Sequence, residues 1–315
     1  MAAVGALLAL VRIRIARVMT SAPGRVLISA CAAALALGAG ELVLSRVHLR
    51  STEWLAPTEE PRRRLDPRLG WTFVPARSGQ NTIGGRTIDY SFDAAGYRVR
   101  RVDEPVDPSL PTIVFVGESV MLGEGLRWDE SVPAQVSALM RMQTANMAVH
   151  GYGSDQAYLR LETELPRFRH PVAVVSLFMT ALFGRNLDDD RPHLAPGLVW
   201  LPAEPHGRIV SLAGLLVPYR TDATVERGIT MTREVFAATV KLARSRGATP
   251  LILVPHFGKE EEAERTLRRR ILDEPGLPYV WVEMDEAWRL PWDRHPNAHA
   301  AQVIAAAVAT RLRER

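Results

Sequence analysis

Apolar residues gather in two N-terminal runs, then in short bursts separated by amphipathic stretches. The first run, Met1 to Val11, passes into the alternating basic segment Arg12-Ile13-Arg14-Ile15-Ala16-Arg17. The second spans Val26 to Leu44 and is interrupted only by Glu41. A helix that crosses a bilayer needs roughly 20 mainly apolar residues, and this run reaches that length. Arg12, Arg14, Arg17 and Arg25 precede it, so the positive-inside tendency predicts a cytoplasmic N-terminus and an outward-facing remainder, against the weaker pull of Arg46 and Arg50. Cleavage near the small residues Gly38-Ala39-Gly40 is the competing outcome. Ile28-Ser29-Ala30-Cys31 fits a lipobox locally, but the apolar run lies mostly after Cys31, where a lipoprotein signal would have it before. Cys31 therefore reads as a lipid-facing helix residue, and Glu41 falls near the outer interface, where a carboxylate costs less than at mid-bilayer.

Beyond the apolar run, residues 51–75 read as a linker, rich in Pro and Arg around Pro61-Arg62-Arg63-Arg64. Thr82-Ile83 and Thr87-Ile88-Asp89-Tyr90 flank Gly84-Gly85, a pair suited to the positive φ of a tight hairpin turn. Pro105 to Pro111 reads as a boundary. Short apolar runs follow at Ile113–Val116, Val172–Leu177, Leu251–Val254 and Tyr279–Val282, with Ala145–Val149 a weaker one. Helical spacing fills the gaps at Val132–Met140, Thr230–Ala243 and Ala298–Leu312. Continuous apolar strands alternating with helices predict a parallel sheet covered on both faces. The expected fold is thus α/β, a three-layer α/β/α domain with a parallel, flavodoxin-like sheet, preceded by a transmembrane helix and a short β-hairpin leader. The corresponding boundaries are a basic cytoplasmic N-terminus over 1–25, a signal-anchor helix over 26–46, a linker and hairpin leader over 47–107, and the main domain over 108–315.

The chain has 315 residues, a formal charge of +4 and a pI near 9.5. Its excess charge is largely scattered Arg with no basic, aromatic-interleaved face, which argues against a nucleic-acid partner. The single cysteine, Cys31, excludes an internal disulfide and any cysteine-based metal cluster.

Open parallel sheets place their sites beyond the carboxyl ends of the strands, which directs attention to the residues after each apolar run. After the first stands Gly117-Glu118-Ser119-Val120-Met121. Ser119 either caps the next helix or, at a strand-to-helix turn, serves as a nucleophile beside backbone N–H groups. The order differs from a G-x-S-x-G elbow, since Met121 holds the last place. Next, His150-Gly151-Tyr152-Gly153-Ser154-Asp155-Gln156 is either an ordinary glycine turn or a loop that exposes an N–H to an oxyanion. Near the C-terminus, Asp293-Arg294-His295-Pro296-Asn297 precedes the last helix. It reads either as a polar helix start or as a base with its orienting carboxylate, because residues two apart on an extended loop can meet. Asp188-Asp189-Asp190, His256, His150 and the charged stretch Lys259–Arg270 rank lower: a solvated acidic loop, a cleft-lining histidine, a pocket-shaping histidine and a solvated helix face.

Taken together, these segments resemble the SGNH (GDSL-like) hydrolases over most of the chain. Ile113-Val114-Phe115-Val116-Gly117-Glu118-Ser119 looks like the first block, continued by Leu122–Leu126 and Asp129–Gln135. Asn146 with Gly151–Gln156 looks like the second block, and Asp293–Asn297 like the last. Leu69–Pro75 and Gly96-Tyr97-Arg98 are similar to the leader of anchored members. The resemblance implies Ser119 as nucleophile, His295 as base, Asp293 as orienting carboxylate, and an oxyanion hole from the N–H groups of Ser119 and Gly151. Two positions depart from the family pattern: Glu118 stands where Asp is usual, and Ala181 where a third-block Asn would donate to the oxyanion. Either a remodelled Thr180–Asn186 loop lets Asn186 substitute, or the hole lacks its side-chain donor.

The resemblance implies a serine esterase or acyltransferase-type protein with no cofactor and no metal. It would be a single-pass membrane protein through residues 26–46, with its domain outside the cytoplasmic membrane, acting on O-acylated glycans or small esters. The alternative is a weak or inactive binding domain of the same fold, tethered to the membrane.

Overall fold

The structure, a computed structural model, describes residues 22–49, 53, 59–204, 206–217 and 220–314. Met1–Val11 and the basic segment Arg12–Arg17 therefore lie outside the described residues. In chain order the helices are α1 Pro23–Leu44, α2 Ser119–Leu122, α3 Val132–Met140, α4 Ser154–Glu164, α5 Arg208–Leu216, α6 Asp222–Ser245, α7 Glu262–Arg268 and α8 Ala298–Arg313. The strands are β1 Arg63–Asp66, β2 Gly70–Phe73, β3 Arg77–Ile83, β4 Arg86–Phe92, β5 Arg98–Val99, β6 Thr112–Val116, β7 Gln143–Asn146, β8 Pro171–Leu177, β9 His193–Ala195, β10 Val199–Leu201, β11 Thr249–Phe257 and β12 Tyr279–Met284. The described residues fall into two compact units, 22–49 with 206–217 and the remainder.

In the larger unit one sheet runs in the order β12-β11-β8-β6-β7-β5-β4-β3. Its five strands from β12 to β7 are mutually parallel. Numbered by their place in the chain, they follow the flavodoxin-like order 2-1-3-4-5. The continuous apolar character of β6 has a direct cause. Ile113 and Phe115 pack with Ala301 and Ile304 of α8 on one face, whereas Val114 and Val116 pack with Ala157 and Leu161 of α4 on the other. A strand buried on both sides cannot alternate, so it reads as an unbroken run. Because β7 and β8 lie on opposite sides of β6, the chain reverses its winding there. The carboxyl end of β6 is consequently the topological switch point, where open α/β sheets leave a crevice.

Two parts of the leader differ from the sequence reading. The Gly84-Gly85 turn forms, with φ of +56° and +78°, but its strands run much farther, pairing from Arg77↔Phe92 to Ile83↔Arg86. Through β5 and the pair Arg98↔Asn146 they join the main sheet, so the sheet continues across the Pro105–Pro111 segment. The stretch read as a linker also carries structure: β1 and β2 form an antiparallel hairpin that buries Trp71 and Phe73. Four-residue strands in a Pro- and Arg-rich stretch leave little periodicity to detect, so tertiary burial decides what local pattern does not.

The smaller unit consists of α1 and α5. Helix α1 is 22 residues long, has a mean hydropathy of 2.0 in its most apolar window and buries none of its residues. At about 1.5 Å per residue it is long and apolar enough to cross a bilayer, a property that a signal sequence shares.

Candidate active site

Strand β6 delivers the chain to the switch point, and a tight turn follows. Gly117 is required there, because an added Cβ would lie 2.7 Å from Leu177 Cβ. Glu118 then caps α2, its carboxylate accepting from Val120 N at 3.3 Å. Ser119 is the first residue of that one-turn helix and is 1% exposed. Gly123 (φ +82°) ends the turn, and Gly125 (φ +73°) bends the chain again beneath Leu290, whose Cδ1 would be 2.5 Å from an added Cβ.

At the other end of the domain, the loop before α8 is pinned by Leu290 N donating to His295 O and Asn297 N donating to Trp288 O, each at 2.8 Å. The Asn297 side chain caps α8 by accepting from Ala300 N at 3.0 Å. This geometry brings His295 Nε2 to 2.7 Å from Ser119 Oγ across 176 residues of sequence. Asp293 Oδ2 lies 2.7 Å from His295 Nδ1. That contact is close in distance but off the line of the ring N–H, so Nδ1 makes no aligned hydrogen bond. His295 thus sits between Ser119 and Asp293, with one ring nitrogen near each.

Gly151 stands in the loop after β7 with φ +79°. An added Cβ would come 3.2 Å from Trp71 Cζ2, so both conformation and space call for glycine. The β1–β2 hairpin clamps this loop. Trp71 Nε1 donates to His150 O at 2.9 Å, Tyr152 OH donates to Trp71 O at 2.5 Å, and the two rings meet edge-on at 5.8 Å. Buried Arg191 adds a further brace, donating to Gly151 O at 3.0 Å. Among the described residues, neither the Ser119 nor the Gly151 N–H donates to a protein acceptor.

Asn186 is differently employed. Its Oδ1 accepts from Ser154 N at 2.9 Å, and its amide donates to Ser154 Oγ at 3.2 Å and Thr232 Oγ1 at 3.0 Å. Both of its N–H groups are therefore committed to the α4–α6 contact. The expectation that Asn186 supplies the donor missing at Ala181 is corrected: the side chain is a structural pin at the start of α4.

Further contacts around Ser119 involve Glu118, Arg185 and Glu124. Ser119 Oγ lies 2.5 Å from Glu118 Oε2, which also accepts from Arg185 Nη1 at 3.0 Å. A hydroxyl has one proton, so Ser119 can donate to Glu118 or to His295 but not to both. Arg185 belongs to the 3-10 segment Thr180–Leu187, the same segment that carries Ala181. Its guanidinium brings a positive charge to the carboxylate beside the serine. Glu124, between the two positive-φ glycines, contacts His150 Nδ1 and lies 3.8 Å from His295 Nε2. Burial alone would raise its pKa, but the hydrogen bond from His150 and the charges of His150 and His295 hold it below the usual carboxylate range. Flanking glycines around a lone acid, five residues after the serine, were the available signal for Glu124. Arg185 carries no such signal.

The turn that carries Ser119 is buttressed from the leader. Arg98, 1% exposed, donates to the carbonyls of Leu122, Gly123 and Leu126, each at 2.7 Å, and stacks over Tyr90 at 4.6 Å. Burial pushes its pKa down to about 10, so it remains a cation at neutral pH. Tyr90 OH accepts from Gly125 N at 2.9 Å, and Asn146 Nδ2 donates to Met121 O at 3.1 Å.

The lower-ranked candidates lie in other contacts. His256 stacks on Trp281 and sits 3.9 Å from Glu264, while Asp188 pairs with Arg220 at 3.3 Å. Lys259–Arg270 contributes Arg268–Glu260 and Arg270–Glu226 pairs. Gly117, Glu118, Tyr152, Leu177, Met179 and Arg185, among others, line a small cleft on the Glu118 side of the turn.

No family model and no curated protein sequence matches the chain. Among solved structures it is similar to a protein assigned to the G-D-S-L lipolytic family from Desulfitobacterium hafniense, at 12% identity and a TM-score of 0.41, covering 64% of this chain and 98% of that one. A protein described as an arylesterase from Agrobacterium tumefaciens aligns at 15% identity and a TM-score of 0.39, covering 65% of this chain and 99% of that one. An acetyl xylan esterase from the rumen bacterium Butyrivibrio proteoclasticus aligns at 11% identity and a TM-score of 0.40, covering 67% and 66%. Sequence identity this low leaves the chemistry to be derived from the site's own geometry.

Proposed function

We propose that this chain is a membrane-anchored serine esterase or acyl transferase of the SGNH type, acting outside the cytoplasmic membrane. The observation that carries the proposal is the line Ser119 Oγ–His295 Nε2–Asp293, with successive separations of 2.7 Å and 2.7 Å. With the hydroxyl proton turned toward Nε2, His295 removes it as Ser119 Oγ bonds to the ester carbonyl carbon. The resulting imidazolium lies next to Asp293, and the N–H groups of Ser119 and Gly151 are free to receive the oxyanion. Collapse of the tetrahedral species breaks the bond to the alcohol, which leaves with the proton from Nε2. Water or an acceptor hydroxyl then repeats the sequence on the acyl-serine, giving hydrolysis or transfer. Arg185 is the one side chain of the Ala181 segment that brings positive charge to this turn, where it pairs with Glu118.

O-acylated glycans or small esters on the outer side of the membrane fit the anchor reading. Full-length protein in detergent is expected to hydrolyse p-nitrophenyl acetate, with turnover lost in Ser119→Ala. Turnover equal in wild type and Ser119→Ala would refute the assignment.

One contact favours a second reading, a tethered binding domain. Glu118 competes with His295 for the serine proton, which would hold the hydroxyl away from its base. In that case Ser119→Ala would leave cellular function intact while Leu182→Trp, which fills the cleft, would abolish it.

A further inference from the structure

The smaller unit contains a second apolar element that the esterase reading does not use. Helix α5 has the sequence RIVSLAGLL and buries none of its residues. Val210, Leu215, Leu216 and the following Val217 are 59%, 58%, 73% and 68% exposed. Nine residues rise only about 14 Å, far short of a bilayer, so α5 is an interfacial rather than a spanning length.

The N-terminal groups of α5 are met by α1. Glu41, the acid that interrupts the apolar run, accepts from Arg208 N at 2.8 Å and Ile209 N at 3.1 Å, capping the start of α5. Gly207 lets the carboxylate in, since a Cβ there would be 2.8 Å from Glu41 Oε1. In return Arg208 Nη1 donates to Leu44 O at 3.3 Å and Val47 O at 2.9 Å, at the end of α1. Ile209 Cδ1 reaches toward Gly40, 3.3 Å from where a Cβ would stand. The two helix ends cap each other and leave apolar side chains outward. That combination fits a water-poor surface, where an unpaired backbone group is costly.

We propose that residues 206–217 form a second membrane-contacting segment, in which α5 docks on the outer end of α1 and inserts Val210, Leu215, Leu216 and Val217 among lipid acyl chains. The proposal rests on α1 being a membrane anchor. It gives Glu41 a function, the capping of α5, and it ties the sheet-bearing unit to the membrane twice along the chain.

The test uses full-length protein with Cys31→Ser, reconstituted in phosphatidylethanolamine–phosphatidylglycerol vesicles and spin-labelled at Leu216→Cys, Val210→Cys, Leu35→Cys or Glu262→Cys. Collisions with oxygen and with a water-soluble nickel complex are compared at each site. The expected result is an oxygen-to-nickel ratio severalfold higher at 216, 210 and 35 than at 262. In the Glu41→Gln background the ratios at 216 and 210 should fall while that at 35 holds. A high ratio at 35 with water-like values at 216 and 210 overturns the proposal and leaves the anchor standing. Water-like values at 35 as well remove the anchor and the proposal together. Shielding of 216 and 210 from both reagents overturns the proposal in favour of a protein partner on α5.

Discussion

Arg98→Met tests whether the leader holds the nucleophile turn in place. The guanidinium supplies donors to three buried carbonyls, Leu122, Gly123 and Leu126, each at 2.7 Å. Methionine fills much of the volume and supplies none. Each lost hydrogen bond from a charged donor costs about 1.5–3 kcal/mol, so the gross loss is about 5–9 kcal/mol, although Leu122 O and Gly123 O keep second donors in Asn146 Nδ2 at 3.3 Å and Leu126 N at 3.1 Å. Relief from burying a cation offsets several kcal/mol of that. The net expectation is a destabilisation of about 3 kcal/mol. The carbonyls belong to the turn Leu122–Leu126, which begins at the end of α2 and includes Glu124. Its relaxation should displace Ser119 as well, and a displacement of about 1 Å costs about a hundredfold in rate. Urea unfolding of the full-length protein in detergent, followed by tryptophan fluorescence, measures the first effect, and ester turnover well below the unfolding midpoint measures the second. An unchanged midpoint together with kcat/KM within twofold of wild type would refute the reasoning. Loss of stability with full activity in the folded fraction would separate the buttress from the catalytic turn.

Other substitutions probe single contacts. Asp293→Asn keeps the shape but presents a neutral amide to His295, and kcat should fall by about a hundredfold to ten-thousandfold in steady-state assays. Arg185→Ala strips the counter-charge from Glu118 beside Ser119 and should lower kcat/KM about tenfold to a hundredfold, with Arg185→Lys partly restoring it. For Glu124 the folded pKa is lowered, so its carboxylate contributes stability above the ordinary unfolded value and loses that contribution as pH falls through the folded one. Unfolding midpoints of wild type and Glu124→Gln should therefore differ most above about pH 5 and converge as the pH falls below about 4; a constant gap across that range would contradict the lowered pKa.

The parallel sheet was legible because both faces of β6, β8 and β11 are buried, which turns each strand into an apolar run. Helix α8 was legible from its spacing and from the Asn297 cap before it. Helix α6 was read too short. Its first turns, from Asp222 capped by Thr221, are half polar and pack on little. The hairpin β1–β2 was missed since Trp71 and Phe73 are buried by partners distant in sequence, such as Tyr152 and Phe92. The site shows the same division. Ser119, Gly151, Asp293 and His295 sit in short local motifs at strand and helix ends, where residue order carries the signal. Arg98, Glu124 and Arg185 act through contacts across 24 to 67 residues; glycines flank Glu124 and Arg98 sits in the leader motif, but the partners each one meets are not marked locally, and Arg185 carries no local signal. Of the two alternatives left open at Ala181, the one that uses Asn186 could not be weighed from the sequence, because distance along the chain says nothing about Ser154 and Thr232 competing for its amide.

The central claim is that Ser119 is a nucleophile activated by His295. The most direct measurement is labelling of folded, full-length protein with a fluorophosphonate, comparing wild type with Ser119→Ala and His295→Ala and mapping the adduct by peptide mass. The account predicts a covalent adduct on Ser119 in the wild type and loss of labelling in both variants. Folded wild type that takes up no label, or label that persists in Ser119→Ala, would contradict it.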